Sequence, residues 1–284
     1  MKQFRRGFWA IVSVASIASL MGTACGLKHL PDVHFESTLQ YVVEEMLEMA
    51  KVTKDDTVYD LGCGDGRFII TAAKKYGARG VGIDIDPERV QESHQKAIEA
   101  GVTDRVRFIE GDLFTTHISE ATVITLYLLQ ELNLKLRPRL LHELKPGSCI
   151  VSFVFNMGDW KPDTTRILGS NTFYYWVIPA DVAGVWGWSV PIQKGDFPYT
   201  LQLKQNFQEV KGHVTIQEGR RIRIKEAKLT GDRLNFAVKY NETNKQKVVV
   251  YFDGRVSGDT IHGNVEVTGG PFAGRYTWTA RRNP

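Results

Sequence analysis

At 284 residues, with 43% hydrophobic and 24% charged side chains, the chain is long enough for two domains with separate cores. Its formal net charge of +4 is too small for a nucleic-acid polyelectrolyte, so we expect no nucleic-acid partner. The charge is divided along the chain. Residues 25–180 hold seventeen Lys or Arg against twenty-two Asp or Glu, whereas residues 181–284 hold sixteen against ten. This shift predicts a domain boundary near residue 181.

The first 25 residues have the shape of a secretion signal. Lys2, Arg5 and Arg6 precede an apolar run over residues 8–21, and three small residues then lead to Cys25. The segment resembles a bacterial lipoprotein signal, and its apolar run could also serve as an uncleaved anchor. We therefore predict membrane association at a bacterial cell envelope through residues 1–25. The side of the membrane stays open.

Residues 58–67 run from a predicted buried strand into a turn with three glycines, Gly62, Gly64 and Gly66. The turn opens a helix predicted over residues 67–76. Glycine can adopt positive φ and lets the main chain approach a ligand at the end of a strand. The turn therefore predicts a site for a nucleotide-like ligand, although an NAD-binding domain or a plain tight turn would show similar glycines.

Two acidic residues follow the next predicted strands. Asp84 ends a strand over residues 80–84, where its carboxylate can accept hydrogen bonds from both hydroxyls of an adenosine ribose. Asp86 precedes a proline and a glutamate, which predicts a helix cap for residues 87–100. Asp112 follows a third strand over residues 106–110, where it could accept a hydrogen bond from an adenine amino group. Three strand ends therefore converge on one adenosine.

With these motifs the chain resembles the class I S-adenosylmethionine (SAM) dependent methyltransferases over about residues 37–180. The resemblance implies a Rossmann-like seven-stranded sheet, a methyltransferase domain over residues 31–180, and SAM as cofactor. It implies a cofactor site formed by Asp60, Gly62, Gly64, Gly66, Asp84, Ile85, Asp112, Leu113 and Tyr127.

The rest of this domain agrees with the resemblance. A fourth strand is predicted over residues 121–128, and a fifth over residues 148–155. Between them lies a leucine-rich segment, residues 132–144, that we expect Pro138 to break. Residues 164–168 and 172–179 read as a hairpin around a Gly-Ser-Asn turn. The resemblance implies a parallel sheet closed by one reversed hairpin strand.

Residues 126–133 and 155–160 are similar to the protein-lysine methyltransferases that modify the ATP synthase c subunit, in many of which proline stands at the position of Gln130. The fourth strand has no Asn-Pro-Pro-Tyr after it, which disfavours transfer to base amino groups, so an amine acceptor is favoured. Tyr127 and Trp160 would wall a desolvating pocket that lowers the pKa of a lysine.

Glu131 or Asn133 would orient that amine, which makes Tyr127, Glu131 and Asn133 the candidate catalytic residues. Two alternatives stay open. One is a small-molecule methyltransferase, and the other is a binding protein at the cell envelope that keeps the fold without turnover. The location adds a conflict, because SAM is made in the cytosol whereas a basic start favours export of the domain downstream of it.

Residues 183–284 predict an all-β domain of up-and-down barrel type that cofactor binding does not need. Gly-Asp turns repeat at residues 231–232 and 258–259. We expect a structural or docking module rather than a ligand cup. The eight predicted strands cover residues 185–190, 200–207, 210–216, 222–229, 234–240, 248–256, 261–267 and 275–281.

The three cysteines do not form a disulfide framework. Cys63 lies in the glycine turn and Cys149 near the start of the fifth strand, where small thiols are ordinary core residues. No spacing of Cys and His indicates zinc, so we expect no metal.

Overall fold

The computed structural model describes residues 37–192, 195–216, 219–241 and 246–283. The predicted membrane segment, residues 1–25, lies outside them and stays a prediction. Within the described residues, no helix is long and apolar enough to span a bilayer. The described residues belong to one compact unit. The sequence also predicts that residues 181–284 fold independently of the methyltransferase domain, and this stays a prediction.

The first sheet contains seven strands within the described residues. They are β1 Thr57–Leu61, β2 Arg79–Asp84, β3 Val106–Glu110, β4 Val123–Leu126, β5 Cys149–Phe153, β6 Thr164–Leu168 and β7 Asn171–Val177. Their order is β3-β2-β1-β4-β5-β7-β6, with β1 to β5 parallel and β7 antiparallel to both neighbours. This confirms the predicted sheet with its one reversed hairpin strand.

Four α-helices cover this sheet in the described part of the chain: α1 Gln40–Met49, α2 Arg67–Thr71, α3 Pro87–Ala100 and α4 Gln130–Glu143. Helix α2 continues as a π-helical turn, Ala72–Tyr76. Successive strand residues face opposite sides, so Val58 joins one hydrophobic cluster with α1 to α3, while Tyr59 joins a second with α4. The predicted cap is confirmed, since the Asp86 carboxylate accepts a hydrogen bond from Glu88 N–H at 2.8 Å.

The prediction that Pro138 breaks the leucine-rich segment is wrong. Helix α4 runs through Pro138, which is exposed, while Leu136 and Leu140 are fully buried against the sheet. The backbone hydrogen bond that proline removes lies on the solvent side, and burial of the opposite face holds the helix together.

The second sheet is antiparallel and nearly closed. Its strands in the described residues are β8 Gly184–Ile192, β9 Gly195–Asn206, β10 Glu209–Thr215, β11 Arg221–Arg223, β12 Lys225–Thr230, β13 Arg233–Asn241, β14 Lys247–Ser257, β15 Thr260–Thr268 and β16 Gly274–Arg282. The order is β11-β10-β9-β8-β16-β15-β14-β13-β12, which confirms the up-and-down meander. The aromatic rings of Trp188, Phe252 and Trp278 meet inside the barrel, with centroids 4.9–5.6 Å apart.

The barrel has nine strands where the sequence predicts eight. The run over residues 222–229 forms two strands because its first part pairs with β10 and its second part with β13. Within β12 the register shifts between Lys225 and Lys228, and Glu226 there has a φ of 56°. At this corner the chain passes from β11 at one edge of the sheet to β12 at the other edge. Ile224 N–H bonds to the Gly212 carbonyl beside the corner. Both predicted Gly-Asp turns are present, between β12 and β13 and between β14 and β15.

The turn between β9 and β10 packs against the loop after β5. Trp160 on that loop is fully buried, stacks on Phe207 at 5.6 Å, and donates its indole N–H to Gln208 Oε1 at 2.9 Å. Gln208 Nε2–H in turn donates to the Lys161 carbonyl at 2.7 Å. Phe207 has a φ of 53°, a left-handed conformation that hairpin turns usually give to glycine. Its ring contacts therefore compensate for backbone strain.

Gln208→Ala should lower the free energy of unfolding by about 1–3 kcal/mol, because it leaves the buried indole N–H of Trp160 without an acceptor. Urea denaturation followed by circular dichroism measures this. Gln202→Ala is the matched control, since Gln202 is exposed on β9, the strand that leads into this turn. Equal stability of the two variants would contradict the buried bond.

Candidate active site

A cavity opens at the carboxyl ends of β1, β2 and β4. Seven of the predicted cofactor residues line it: Asp60, Gly62, Asp84, Ile85, Asp112, Leu113 and Tyr127. Gly64 and Gly66 lie in the turn beside it without lining it. Parallel strands end at one edge of a sheet, so residues far apart in sequence meet there.

The glycine turn holds its shape by close backbone packing. Gly62, Gly64 and Gly66 all have positive φ, at 82°, 53° and 77°. A Cβ on Gly66 would lie 2.7 Å from the Phe108 ring and 2.9 Å from Ser93 Cβ. Ser93 Oγ–H donates to the Gly64 carbonyl at 2.8 Å. Gly66 is therefore required both by its backbone angles and by the helix packed behind it.

Asp84 joins the second strand to the glycine turn. Its Oδ2 accepts from Gly64 N–H at 2.8 Å, and its Oδ1 accepts from Asp86 N–H at 3.0 Å. Each carboxylate oxygen has more than one lone pair, so both keep acceptor capacity toward the cavity. The third strand end is tied to the same residue, because Gly111 N–H donates to the Asp84 carbonyl at 2.8 Å.

Asp112 and Leu113 form the far wall of the cavity. Asp112 Oδ1 accepts from Phe114 N–H at 2.7 Å, which fixes the carboxylate at the start of the turn. The Arg139 guanidinium on α4 donates to the carbonyls of Leu113 and Thr116. Sequence reasoning missed this arginine, since nothing in its own neighbourhood indicates the loop that it holds.

Two carboxylates near the glycine turn differ in their charge balance. Asp60 is buried and accepts a hydrogen bond from Thr125 Oγ1–H at 2.7 Å. Burial, together with the negative charges of Asp84 and Asp65, raises the pKa of Asp60 to about 8. Asp65 is also buried, but ion pairs with Arg67 and Lys96 outweigh its desolvation and lower its pKa to about 2.

The Asp65 cluster was not predicted as part of the site, although Asp65 and Arg67 both stand within the glycine motif. The Arg67 guanidinium also donates to the carbonyl of Thr38, which lines the cavity. The ion pairs therefore fasten the chain before α1 to the glycine turn. Asp60 has no ion pair within the described residues, so the cavity suits a cationic ligand.

The opposite part of the cavity is apolar. Tyr127 packs edge-on against Phe153 at 4.9 Å, and Leu129, Val154 and Phe155 continue this wall. Val154 has a φ of 68°, a strained angle for a β-branched residue, and its N–H donates to the Thr172 carbonyl at 2.8 Å. Such strain is concentrated at functional sites.

Three residues predicted to face the acceptor do not line the cavity. Glu131 is exposed to solvent, and Trp160 is buried at the junction with the barrel. Asn133 is fully buried, where its Nδ2 donates to the Phe155 carbonyl at 3.1 Å and to Ser152 Oγ at 3.2 Å. Helical spacing explains this arrangement, because Leu129 and Leu132 share the cavity side of α4 and the residues between them point elsewhere.

Gln130 makes a contact that the sequence did not predict. Its side-chain amide donates to the Asn156 carbonyl at 3.1 Å and to Asn156 Oδ1 at 3.0 Å, and its Oε1 accepts from Asn156 N–H at 3.2 Å. The start of α4 is thereby clasped to the loop after β5. Gln130 and Asn133 together hold the loop that carries Val154 and Phe155.

A family model described as the ANTKMT methyltransferase domain matches residues 60–164. A protein-lysine N-methyltransferase of Saccharolobus islandicus (strain REY15A) is 44% identical over 157 residues, which cover 54% of this chain and 98% of that protein. The chain belongs to the SAM-dependent methyltransferase family. As in the other class I methyltransferases, its cofactor is SAM.

Two further relatives differ in their coverage. A solved methyltransferase structure from Salinibacter ruber, titled an RNA methyltransferase in complex with S-adenosyl-L-homocysteine, is 53% identical with a TM-score of 0.51. It covers 52% of this chain and 96% of that one. The human lysine N-methyltransferase that is named for the c subunit of ATP synthase is 29% identical over 132 residues, or 46% of this chain. The matched part of this chain covers 56% of the human protein's length.

The described residues fit SAM. A cationic ligand with a ribose diol needs a carboxylate without an internal ion pair and a second carboxylate with spare acceptor capacity, which Asp60 and Asp84 provide. The positive φ of Gly62 brings main chain to the cavity without a side chain. When bound, SAM supplies an electrophilic methyl group on a sulfonium.

Asp60→Asn should change how the stability of the ligand-free methyltransferase depends on pH. A carboxyl group whose folded pKa is raised to about 8 binds its proton more tightly when folded, so stability falls as pH rises from about 4 to 8. The variant should lack that contribution, which amounts to about 1.4 kcal/mol per pH unit. Thermal unfolding across this range measures it.

The control for this prediction is Asp65→Asn. The pKa of Asp65 is lowered, so its carboxylate stabilises the fold above its unfolded pKa and loses that effect as pH falls toward 2. Removing it should destabilise the protein at neutral pH, the opposite sign. Parallel pH curves for wild type and Asp60→Asn would show that Asp60 ionises normally.

Proposed function

We propose that this methyltransferase transfers a methyl group from SAM to the ε-amine of a lysine in a protein. The observation that carries the proposal is the apolar wall of Tyr127, Leu129, Val154 and Phe155 beside a carboxylate-lined cofactor end. The 44% identity to a protein-lysine N-methyltransferase supports the same acceptor.

In this proposal the carboxylates and the glycine turn hold the cofactor. Asp84 accepts hydrogen bonds from the ribose hydroxyls, and Asp112 and Leu113 contact the adenine. Asp60 faces the cationic end, where its buried charge gains a partner. Ile85 packs beside the ribose, and Gly62, Gly64 and Gly66 keep the main chain close.

The apolar wall would act on the acceptor amine. An amine must be neutral to attack a methyl group, and desolvation lowers the pKa of lysine. Tyr127 and Phe155 would exclude water from the amine and align it for in-line displacement, which requires no dedicated acid or base. Asn133 would act as a positioning residue, because its amide holds the Phe155 carbonyl.

A nucleic-acid acceptor is the contrasting possibility, since the Salinibacter relative is titled an RNA methyltransferase. The segment after β4 argues against it here. It reads Tyr-Leu-Leu-Gln rather than Asn-Pro-Pro-Tyr, so it has neither the first Asn nor the final Tyr of the motif that holds a base amino group. A small-molecule acceptor would use the same apolar wall. A binding protein without turnover is disfavoured, because the acidic residues at the strand ends are all retained.

Asp84→Ala should weaken SAM binding about ten- to a hundredfold, because it removes charge-assisted hydrogen bonds to the ribose. Isothermal titration calorimetry measures this. Glu88→Ala is the control, since it removes a nearby exposed carboxylate that does not line the cavity. Unchanged affinity of Asp84→Ala for SAM would rule out the ribose assignment.

The acceptor can be identified by labelling. Tritiated SAM is incubated with the methyltransferase and a cell extract separated into protein, RNA and small-molecule fractions. We expect label in protein that amino-acid analysis recovers as methyl-lysine, and no transfer with Asp84→Ala. Label recovered in RNA or in small molecules would overturn the lysine proposal while leaving SAM-dependent transfer intact.

We also propose that the protein is attached to the bacterial cell envelope through residues 1–25, by acylated Cys25 or by an uncleaved anchor. The basic start, the apolar run and the small residues before Cys25 support this. Attachment would place the catalytic domain beside a membrane, where a membrane-protein lysine becomes an accessible acceptor.

A further inference from the structure

The outer surface of β9, β10 and β11 carries basic side chains for which the proposed reaction has no use. They are exposed and alternate with buried residues along each strand, so they point away from the barrel interior. We call this surface the basic face. It consists of Lys204, Lys211, Arg221 and Arg223, with His213 between them.

The strand register places like charges opposite each other on this face. Lys204 lies directly opposite Lys211 across β9 and β10, while Arg223 lies opposite the polar His213 across β10 and β11 and has no acidic residue in that pair. Directly opposed like charges destabilise an antiparallel sheet. Glu209 is two residues from Lys211 on β10, and it already forms an ion pair with Lys161 at 2.8 Å. The basic face therefore costs the fold stability, which suggests that it serves a partner.

On other strands of the barrel, several basic side chains form ion pairs with acidic ones. Arg233 pairs with Asp253 at 2.6 Å, Arg255 with Asp232 at 2.7 Å, and Lys239 with Glu226 at 2.5 Å. Within the described residues, none of the four Lys and Arg of the basic face makes an ion pair. In the described part of the chain, the basic face thus presents four unpaired positive charges on adjacent strands, and the complementary partner is an extended anion.

Two observations favour a lipid surface over a nucleic acid. The described side chains of the basic face include no exposed aromatic residue, and single-stranded nucleic acids are held by stacking on such residues. The chain also begins with the proposed membrane segment. Residues 26–36 separate Cys25 from Ser37, a length that spans at most about 40 Å. A weak anchor becomes stable when a basic patch adds a second contact.

The strands that carry the basic face also contact the loop after β5, which lines the apolar part of the cavity. Strands β9 and β10 meet at the turn of Phe207 and Gln208, which packs on Trp160. Trp160 belongs to the loop that carries Val154 and Phe155 into the cavity. This contact connects the strands that carry the basic face to the loop that lines the cavity.

We propose that the basic face binds the anionic headgroups of phospholipids and orients the membrane-attached enzyme toward acceptors at the bilayer surface. The contact is electrostatic. It adds to attachment through residues 1–25 but does not require that attachment. It gives the appended barrel a role that the methyltransferase half alone does not supply.

The test uses the full chain and two kinds of vesicle, phosphatidylcholine alone and phosphatidylcholine mixed with phosphatidylglycerol. We expect tighter binding to the anionic vesicles, with the difference lost at high salt. The double variant K204E/K211E should weaken binding to anionic vesicles by about tenfold or more and leave binding to neutral vesicles unchanged. The neutralising variant K204Q/K211Q should lie between this variant and wild type.

The matched control is K228E/K247E, which makes the same change in net charge at exposed barrel positions outside the basic face. It should bind both vesicles as wild type does, and unchanged circular dichroism and thermal unfolding confirm that the barrel of each variant is folded. Equal losses in the two charge-reversed variants would show an effect of net charge only and overturn the proposal. Tighter binding to single-stranded RNA than to anionic vesicles would overturn the lipid assignment.

Binding of wild type to neutral vesicles reports on residues 1–25 separately. If it is absent while K204E/K211E still abolishes binding to anionic vesicles, the basic face stands and the anchor fails. If no variant changes binding to anionic vesicles, the basic face fails whatever the anchor does.

Discussion

The hydrogen bond from Gly64 N–H to the Asp84 carboxylate is the contact on which the site depends. It joins the turn after β1 to the end of β2, and the Asp84 carbonyl holds the start of the turn after β3. Three strand ends are thereby fixed relative to one another before any ligand binds. Preorganisation of this kind reduces the entropy that binding must overcome, because no loop has to be ordered.

Charge placement around this turn decides what the cavity accepts. Asp65 lies beside Arg67 and Lys96, so its charge is balanced inside the protein. Asp60, five residues earlier, is buried without such a partner, and its pKa rises to about 8. The two carboxylates are close in sequence and differ only in their neighbours. In the proposed SAM complex, the positive charge of the cofactor would stabilise the ionised form of Asp60.

The acceptor side depends on a loop that is held from two directions. Gln130 and Asn133 on α4 bond to its beginning, while Phe207 and Gln208 from the barrel cover Trp160 further along. The strained Val154 is kept between these supports. The Saccharolobus islandicus relative is spanned almost completely by half of this chain, so the barrel is an addition to the methyltransferase fold. Its contact with the loop after β5 links that addition to the cavity.

The sequence by itself determined the features that short-range chemistry controls. The spaced glycines, the acids at strand ends, the Asp86 cap and the Gly-Asp turns each follow from backbone angles or hydrogen bonds within a few residues, and the structure has all of them. The parallel sheet with its reversed hairpin strand was implied by the resemblance to the class I methyltransferases, which the glycines and strand-end acids carry. The tertiary structure decided which side chains reach the cavity.

Asn133 and Trp160 were placed beside the acceptor because they follow strand ends, yet both are buried elsewhere. Their direction depends on the rotation of α4 and on a barrel turn nearly fifty residues away along the chain. Pro138 was read as a break, although burial of the far side of the helix outweighs its missing hydrogen bond. Local propensity cannot anticipate these outcomes, since packing between distant segments contributes more free energy than the preference of any single residue.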